Sequence, residues 1–138
     1  MSRKKRVLIL CTGNSARSQM AEGLLRHDGG DQFEVESAGI HASFVRPRAI
    51  EVMGEIGIDI SNYRSKSLEE FAGQAFDYVI TVCDNANELC PIFPGAPERI
   101  HWSVADPVNS MNEAEHFRNA RDELRTRLRD FINTRVAG

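Results

Sequence analysis

The chain has 138 residues, of which 41% are hydrophobic and 27% charged, and this is enough apolar material for one globular core. Its 17 basic and 20 acidic residues leave a formal net charge of -3, which argues against a protein that binds nucleic acid or a membrane surface. The composition also excludes a disordered chain, a collagen-like repeat and a disulfide-dense scaffold. We therefore predict a single domain over residues 1–138.

The N-terminal segment does not resemble a targeting signal. A basic run over residues 2–6 precedes an aliphatic run over 7–10 that is too short for a signal peptide, and no stretch approaches the roughly 18 apolar residues of a transmembrane helix. We expect a cytoplasmic protein, in which cysteines are catalytic, bind metal or stay inert rather than form structural disulfides. The chain has three, Cys11, Cys83 and Cys90.

Strand and helix signals alternate from the start of the chain. The aliphatic run over 7–10 is typical of a strand buried on both faces. Apolar residues then recur at helical spacing over 20–25 until the glycine pair 29–30 ends the helix. A second strand is predicted over 33–36 and closes at 37–39.

The later elements continue this alternation. Pro47 suits the first turn of a helix that carries Ile50, Met53 and Ile56. A short helix is predicted over 68–71, a buried strand over 78–82 and a short last strand over 100–102.

The final helix has the clearest pattern. One face carries apolar residues three or four apart, namely Phe117, Ala120, Leu124, Leu128 and Phe131. The arginines between positions 118 and 129 are interleaved with acidic residues, and we interpret them as a solvated face. The alternation as a whole predicts a three-layer α/β fold, a parallel sheet with helices on both faces.

Ligands of open α/β sheets bind outside the carboxyl ends of the strands. The predicted strands place Cys11, Cys83 and Asp106 at that rim. Three groups capable of chemistry are therefore expected to lie together.

The loop after the first strand has the form Cys-x5-Arg-Ser. Its residues are Cys11, Thr12, Gly13, Asn14, Ser15, Ala16, Arg17 and Ser18. Such a loop can aim backbone N–H groups and a helix N-terminus at one oxyanion, which Arg17 can hold in bidentate fashion. The same positive surroundings favour a thiolate nucleophile at Cys11, to which Ser15 or Ser18 can donate a hydrogen bond. Gly13 allows close backbone approach or a positive φ.

A second signal is the pair Cys83 and Cys90 in the segment 83–91. If Asp84 caps a short helix, Cys83 lies at its N-terminus, where the dipole favours a thiolate. The two sulfurs are then separated by about 10 Å along the helix, so a disulfide between them requires rearrangement. Two inert buried cysteines are the alternative. Zinc is disfavoured because the histidines are scattered, so we predict no metal site.

A late Asp106-Pro107 pair supplies a carboxylate on a rigid loop. Asp-Pro is also a common turn, but beside an attacking thiolate Asp106 can protonate a leaving oxygen. His101 and Trp102 are interpreted as core or rim residues.

These motifs, in this order, resemble the thioredoxin-coupled arsenate reductases. The resemblance covers essentially the whole chain and rests on residues 11–22, Ser37-Ala38-Gly39, Asp59-Ile60-Ser61, residues 83–91, His101-Trp102 and Asp106-Pro107. Low-molecular-weight protein tyrosine phosphatases share the fold, the Cys-x5-Arg-Ser loop and the Asp-Pro. The cysteine pair distinguishes the two families, as does Val108-Asn109 where phosphatases often have paired tyrosines.

The resemblance implies a fold, an activity and a role for each cysteine. The fold is a four-stranded parallel sheet with helices on both sides, and the activity is reduction of arsenate to arsenite without a cofactor. Residues 12–18 bind the oxyanion, Cys11 attacks arsenic and Asp106 protonates the departing hydroxyl. Cys83 then expels arsenite by forming a disulfide with Cys11, and Cys90 resolves this to a disulfide with Cys83. Thioredoxin or a related redoxin reduces the pair, and the resemblance suggests a monomer.

Two departures from the family bear on the site. Ala16 stands where some relatives have a further cysteine, which the relay does not use. Some relatives hold a monovalent cation with residues equivalent to Asn14, Glu22 and Ser37 and with one further acidic residue. Near the position of that acidic residue, this chain has Lys66. A lysine ammonium there can replace the cation, so we predict activity insensitive to potassium.

Two other functions remain open from the residues. A phosphatase acting on phosphotyrosine needs only the Cys11 loop and Asp106. A noncatalytic redox or anion sensor would instead use oxidation of Cys83 and Cys90 to alter partner binding. The sequence does not distinguish thioredoxin, a mycothiol-linked redoxin and a glutaredoxin as electron donor.

Overall fold

The predicted alternation of strand and helix is present in the computed structural model, which describes residues 4–135. In chain order the elements are β1 (Lys5–Cys11), α1 (Arg17–Gly29), β2 (Phe33–Gly39), α2 (Pro47–Gly54), a 3-10 helix (Leu68–Phe71), β3 (Tyr78–Thr81), α3 (Asp84–Leu89), β4 (Glu98–His101) and α4 (Glu113–Arg135). The four strands are parallel, in the order β2-β1-β3-β4. This confirms the predicted sheet.

Both faces of the sheet are covered. Side chains alternate between faces along a strand, and residues 7–11 of β1 are all buried. Three aromatic rings pack together on one face, those of Phe33 and Tyr78 from the strands and Phe131 from α4. On the other face Arg6 lies over Phe76, with its guanidinium carbon 4.4 Å from the ring centre. The sheet is therefore the middle layer of three.

Some predicted bounds shift. β1 starts earlier than expected and ends at Cys11, and β2 runs through Gly39, because the two strands pair along their whole length from Lys5 with Phe33 to Cys11 with Gly39. α2 ends at Gly54, so Ile56 lies beyond the helix in which it was predicted.

The last strand was also misplaced. β4 occupies Glu98–His101 rather than 100–102. It is an edge strand whose residues are largely exposed, so it has no apolar run to mark its start.

The prediction that the α4 arginines form a solvated face was wrong in part. The five predicted apolar residues of α4 are buried as expected, but Arg121 is only 8% exposed. Its guanidinium donates to the carbonyl oxygen of Val52 at 2.8 Å and to Glu55 at 3.0 Å. Arg121 therefore fastens α4 to α2 rather than facing solvent. Within residues 4–135, no helix combines the length and apolarity needed to cross a membrane.

Candidate active site

The loop from Cys11 to Arg17, here called the anion loop, joins the end of β1 to α1. Each of its carbonyl oxygens from Cys11 to Ala16 accepts a hydrogen bond. In chain order the donors are the N–H of Ile40, the N–H of His41, the hydroxyls of Ser43 and Ser65, the side-chain amide of Gln19, the N–H of Arg46 and the N–H of Met20. In a trans peptide the N–H points opposite to the carbonyl. The loop N–H groups are thus turned toward its centre.

A cavity of about 240 Å³ occupies that centre. Loop residues line it together with side chains from later in the chain, which are His41, Ser43, Arg46, Asp106 and Val108. Convergent N–H groups with a guanidinium beside them bind tetrahedral oxyanions. The cavity therefore fits an oxyanion of the size of phosphate or arsenate.

Asn14 fixes the shape of the anion loop. Its φ of 47° lies in the left-handed region, which asparagine tolerates better than most residues. The fully buried side chain donates to Ser18 at 2.7 Å and to Ser37 at 2.9 Å, and its oxygen accepts from Lys66 N–H at 2.8 Å. The positive φ predicted as one option for Gly13 thus belongs to Asn14.

Gly39 allows the anion loop to lie against the end of β2. A Cβ atom at Gly39 would lie 2.7 Å from both the backbone nitrogen of Asn14 and the carbonyl oxygen of Thr12. Real Cβ atoms do not approach backbone so closely, so a side chain here would displace the loop.

The Cys11 sulfur lies at the base of the cavity and is 3% exposed. Its Sγ is 2.8 Å from Ser18 Oγ, which in turn accepts a hydrogen bond from Asn14. Because the Ser18 oxygen already accepts, its own proton is available to the sulfur. Of the two serines predicted as donors, Ser18 is the one that bonds Cys11.

Arg17 and Asp106 lie side by side in the lining of the cavity. One Arg17 nitrogen donates to the carbonyl oxygen of Val104 at 2.9 Å, and another lies 3.8 Å from an Asp106 carboxylate oxygen. Asp106 also accepts from the Val108 N–H at 3.0 Å, so the turn predicted for Asp-Pro is present. The Asp106 side chain is 58% exposed, which leaves it access to solvent protons.

A buried charged layer lies behind the anion loop. Glu22 is 3% exposed and accepts a 2.5 Å hydrogen bond from Ser37, the residue that also bonds Asn14. The ammonium of Lys66, itself 7% exposed, lies 3.6 Å from Glu22, and Arg26 lies 3.1 Å from its other oxygen. A buried carboxylate requires such partners. Lys66 thus occupies the position suggested for it by the sequence.

The other two thiols lie at the two ends of α3. Cys83 is the N-cap, and its Sγ accepts from the Ala86 N–H at 3.4 Å and contacts Thr12 Oγ1 of the anion loop at 3.3 Å. The predicted cap Asp84 is instead the first helical residue. Cys90 is the C-cap and is half-buried. Burial raises the pKa of the Cys90 thiol, and the nearby Arg99 charge opposes this in part.

The three cysteines are free thiols, and they lie in succession from the cavity to the far end of α3. β1 and β3 are neighbours, with Leu10 paired to Thr81, so Cys11, the last residue of β1, and Cys83, two residues after β3, lie at the same edge of the sheet. Cys90 lies a further seven residues along, about 10 Å at the helical rise. A disulfide needs Cα atoms within about 7 Å, so Cys83 and Cys90 can join only if α3 unwinds.

Some residues of the site were not predicted as such. Arg46 lines the cavity, stacks over Phe44 at 4.6 Å, and its Nε is buried with no hydrogen-bond partner among the described residues. Ser43 and Ser65 fasten the Gly13 carbonyl. They lie 30 and 52 residues from Gly13, so no local motif identifies them.

This arrangement of loop, arginine and late aspartate defines a class of protein. The chain belongs to the low molecular weight phosphotyrosine protein phosphatase family, whose model matches residues 6–137. Within it, the chain is 44% identical over 135 residues to the arsenate reductase of Halalkalibacterium halodurans, covering 95% of this chain and 97% of that one.

Two solved structures named as arsenate reductases are also similar to this chain. A structure described as an arsenate reductase in the phosphate binding state has a TM-score of 0.80 and 35% identity, and the match covers 94% of this chain and 98% of that one. The thioredoxin-dependent arsenate reductase of Corynebacterium glutamicum has a TM-score of 0.77 and 31% identity, over 96% of this chain and 62% of that one.

Proposed function

We propose that the protein reduces arsenate to arsenite with electrons from its own thiols, which a thioredoxin-type donor then restores. The observation that carries this proposal is the path of three free cysteines from the oxyanion cavity to the far end of α3. The relatives named arsenate reductase support the substrate, and the thioredoxin-dependent neighbour supports the donor.

In the first step the anion loop binds arsenate and Cys11 attacks. The N–H groups of residues 12–17 and the Arg17 guanidinium hold the arsenate oxygens, with Ser18 holding the thiolate. The Cys11 sulfur forms a bond to arsenic, and an As–OH bond breaks. Asp106 supplies the proton that lets the hydroxide leave as water. This step changes no oxidation state.

The reduction takes place when Cys83 attacks the Cys11 sulfur. The new S–S bond forms as the S–As bond breaks, and the electron pair of that bond stays on arsenic, which leaves as arsenite. Thr12, which follows Cys11 in the chain, contacts the Cys83 sulfur at 3.3 Å, so Cys83 lies beside the anion loop. Two thiols are thereby oxidised and arsenic(V) becomes arsenic(III).

Cys90 completes the relay. Its thiolate attacks Cys83, Cys11 departs as a thiolate, and the disulfide passes to Cys83 and Cys90 at the rim of the molecule. Cys90 is more accessible than Cys11, so an external dithiol can reduce the pair. The raised pKa of Cys90 makes this transfer faster as pH rises.

We further propose that residues 1–138 act as one monomeric arsenate reductase domain, as the resemblance to the thioredoxin-coupled arsenate reductases suggests. Reduced thiols are a condition of the relay, which suits a cytoplasmic location. Light scattering of the purified protein tests the monomer directly.

The decisive assay is arsenate-dependent NADPH oxidation with thioredoxin and thioredoxin reductase, with mycothiol and glutathione systems in parallel. We expect one arsenite per NADPH with a thioredoxin-type donor. The anion loop and Asp106 would also suffice for a phosphatase, so phosphate release from an aryl phosphate is measured alongside. Rapid phosphate release without arsenite would overturn the proposal, and stoichiometric thiol loss without turnover would instead indicate a sensor.

A further inference from the structure

The helix α3 must unwind for Cys83 and Cys90 to join, so the contacts that hold it oppose the last step of the proposed relay. Ala86 is buried, while the other residues of this six-residue helix are exposed. Little hydrophobic burial therefore fixes α3. Its remaining attachments are polar side-chain contacts.

His101 of β4 forms the central attachment. Its Nε2 lies 2.9 Å from Asp84 Oδ1 at the start of α3, and its Nδ1 lies 2.7 Å from Thr81 Oγ1. Thr81 in turn donates to the side-chain oxygen of Asn87, in the last turn of α3, at 3.4 Å. One imidazole thus connects to both ends of the helix.

The charge of the imidazole determines the strength of its contact with Asp84. Asp84 is a carboxylate and accepts from His101 Nε2–H, whereas either His101 Nδ1 or Thr81 Oγ1 can be the donor of the second bond. The contact with Asp84 becomes an ion pair when both ring nitrogens carry protons.

The charges around this pair are few. Asp84 is the negative group that faces His101, and its pKa is lowered first by that hydrogen bond and then by Ser103. Arg17 lies close enough to affect the same carboxylate. Arg99, on the same strand as His101, donates to the carbonyl oxygen of Asn87 at 3.4 Å.

We propose that His101 is a positioning residue that fastens α3 in its helical, reduced form when protonated, and so sets the ease with which the Cys83–Cys90 disulfide forms. This inference rests on the proposed relay, in which those two cysteines form the final disulfide. Unwinding separates Asp84 and Asn87 from β4, so oxidation costs the His101 contacts. Loss of the His101 proton weakens them, and the disulfide becomes more favourable as pH rises.

The test measures the oxidation equilibrium of Cys83 and Cys90 in a Cys11→Ser background, against glutathione and glutathione disulfide, without arsenate. The same two cysteines are oxidised in the parent and in each variant, so a difference between their pH profiles reports the substituted group. Between about pH 5.5 and 7.5, which spans the usual pKa range of histidine, we expect the oxidation constant to rise several-fold.

Two variants of His101 distinguish the effect of its hydrogen bonds on the oxidation constant from the effect of its charge. His101→Phe keeps a ring but no polar contact, and we expect about three- to tenfold more disulfide at pH 6 than in the parent. His101→Gln keeps an uncharged donor toward Asp84, so it should give an intermediate constant and lose the rise with pH that the imidazole causes. Asp84→Asn should also increase the disulfide.

A matched control uses another exposed histidine paired with an aspartate. His27 lies 3.0 Å from Asp28, far from α3 along the chain, and His27→Phe should leave the oxidation constant unchanged. Thermal melting establishes that each variant is folded. The parent constant in a folded His101→Phe protein, or an unaltered pH profile in His101→Gln, would overturn the proposal.

Because this experiment contains no arsenate, it gives its answer whether or not the protein reduces arsenate. An arsenate-dependent assay with thioredoxin that yields no arsenite would remove the activity and leave the His101 result standing. A failed His101 test would leave the relay intact.

Discussion

The anion loop and α3 touch at Thr12, whose hydroxyl contacts Cys83 and Asn85, yet they are held in opposite ways. Each loop carbonyl from Cys11 to Ala16 has a hydrogen-bond partner, and Asn14 is completely buried. α3 has one buried residue, and its side-chain contacts are polar and mostly exposed.

The difference follows the chemistry that each region performs. A loop that stabilises charge on a bound oxyanion works best when its dipoles are fixed before the ligand arrives. A segment that carries a sulfur over about 10 Å has to open locally, and weakly packed elements do so at low cost. The protein thus places a rigid nucleophile beside a helix that can unwind.

The largest expected effect is on arsenite formation, when the cysteine of the anion loop or the cysteine at the end of α3 is replaced. Cys11→Ser should abolish arsenite formation, because the attacking sulfur is lost. Cys90→Ser should release about one arsenite per protein and then stop, because the Cys11–Cys83 disulfide has no resolving thiol. Quenched arsenite counting checks both. Sustained turnover of Cys90→Ser with thioredoxin as sole reductant would contradict the comparison.

The next effect concerns the acid beside the loop. Asp106→Asn keeps the shape of the side chain and removes the proton donor, so the single-turnover rate of arsenite formation should fall about 10²- to 10⁴-fold. The exposed carboxylate of Asp31 provides a control, since Asp31→Asn changes the same charge far from the cavity. An Asp106→Asn rate equal to that of the native protein would exclude the assigned role.

A backbone substitution tests whether rigidity of the anion loop matters. Gly39→Ala forces a Cβ against Asn14 and Thr12, and such overpacking costs about 1–3 kcal/mol of stability. We expect weaker oxyanion binding in addition, seen as a higher KM for arsenate.

The matched control is Gly54→Ala in α2. No atom lies within 4 Å of a Cβ placed at Gly54, and alanine favours helix by about 1 kcal/mol. Denaturant unfolding and arsenate kinetics should therefore separate the two alanines. A Gly39→Ala protein with native stability and native KM would show that the loop tolerates displacement.

The smallest effect lies in the buried layer behind the loop. Lys66 already supplies a positive charge to Glu22, so activity should be equal in potassium and sodium buffers of the same ionic strength. Lys66→Ala removes that charge, and potassium should then stimulate, by less than about tenfold since Arg26 remains beside Glu22. Potassium stimulation of the native protein would contradict this assignment.

The elements could be predicted wherever burial leaves a pattern in the sequence. The aliphatic run at β1 and the apolar face of α4 identified their elements correctly, since both are buried. β4 and the ends of β1 were placed poorly, because pairing with a neighbouring strand fixes them and most of their residues are polar or exposed. Arg121 was misread because a buried guanidinium looks in sequence like any surface arginine.

The site also has a part that the sequence predicts and a part that it does not. The groups from Cys11 to Ser18 form a local motif, so their placement around one cavity could be expected. Asn14 reaches Ser37 and Lys66 from 23 and 52 residues away, and His101 reaches Asp84 from 17. Those contacts depend on strand order and register, which spacing alone does not supply.

The central claim is that the Cys11 sulfur attacks arsenate in the oxyanion cavity, and that Cys83 and Cys90 then carry the resulting oxidation outward. Treating the fully reduced protein with one equivalent of arsenate, trapping free thiols and mapping disulfides by mass spectrometry tests it most directly. We expect Cys11 to be free and Cys83 joined to Cys90. Recovery of all three cysteines as thiols after that exposure would contradict the account.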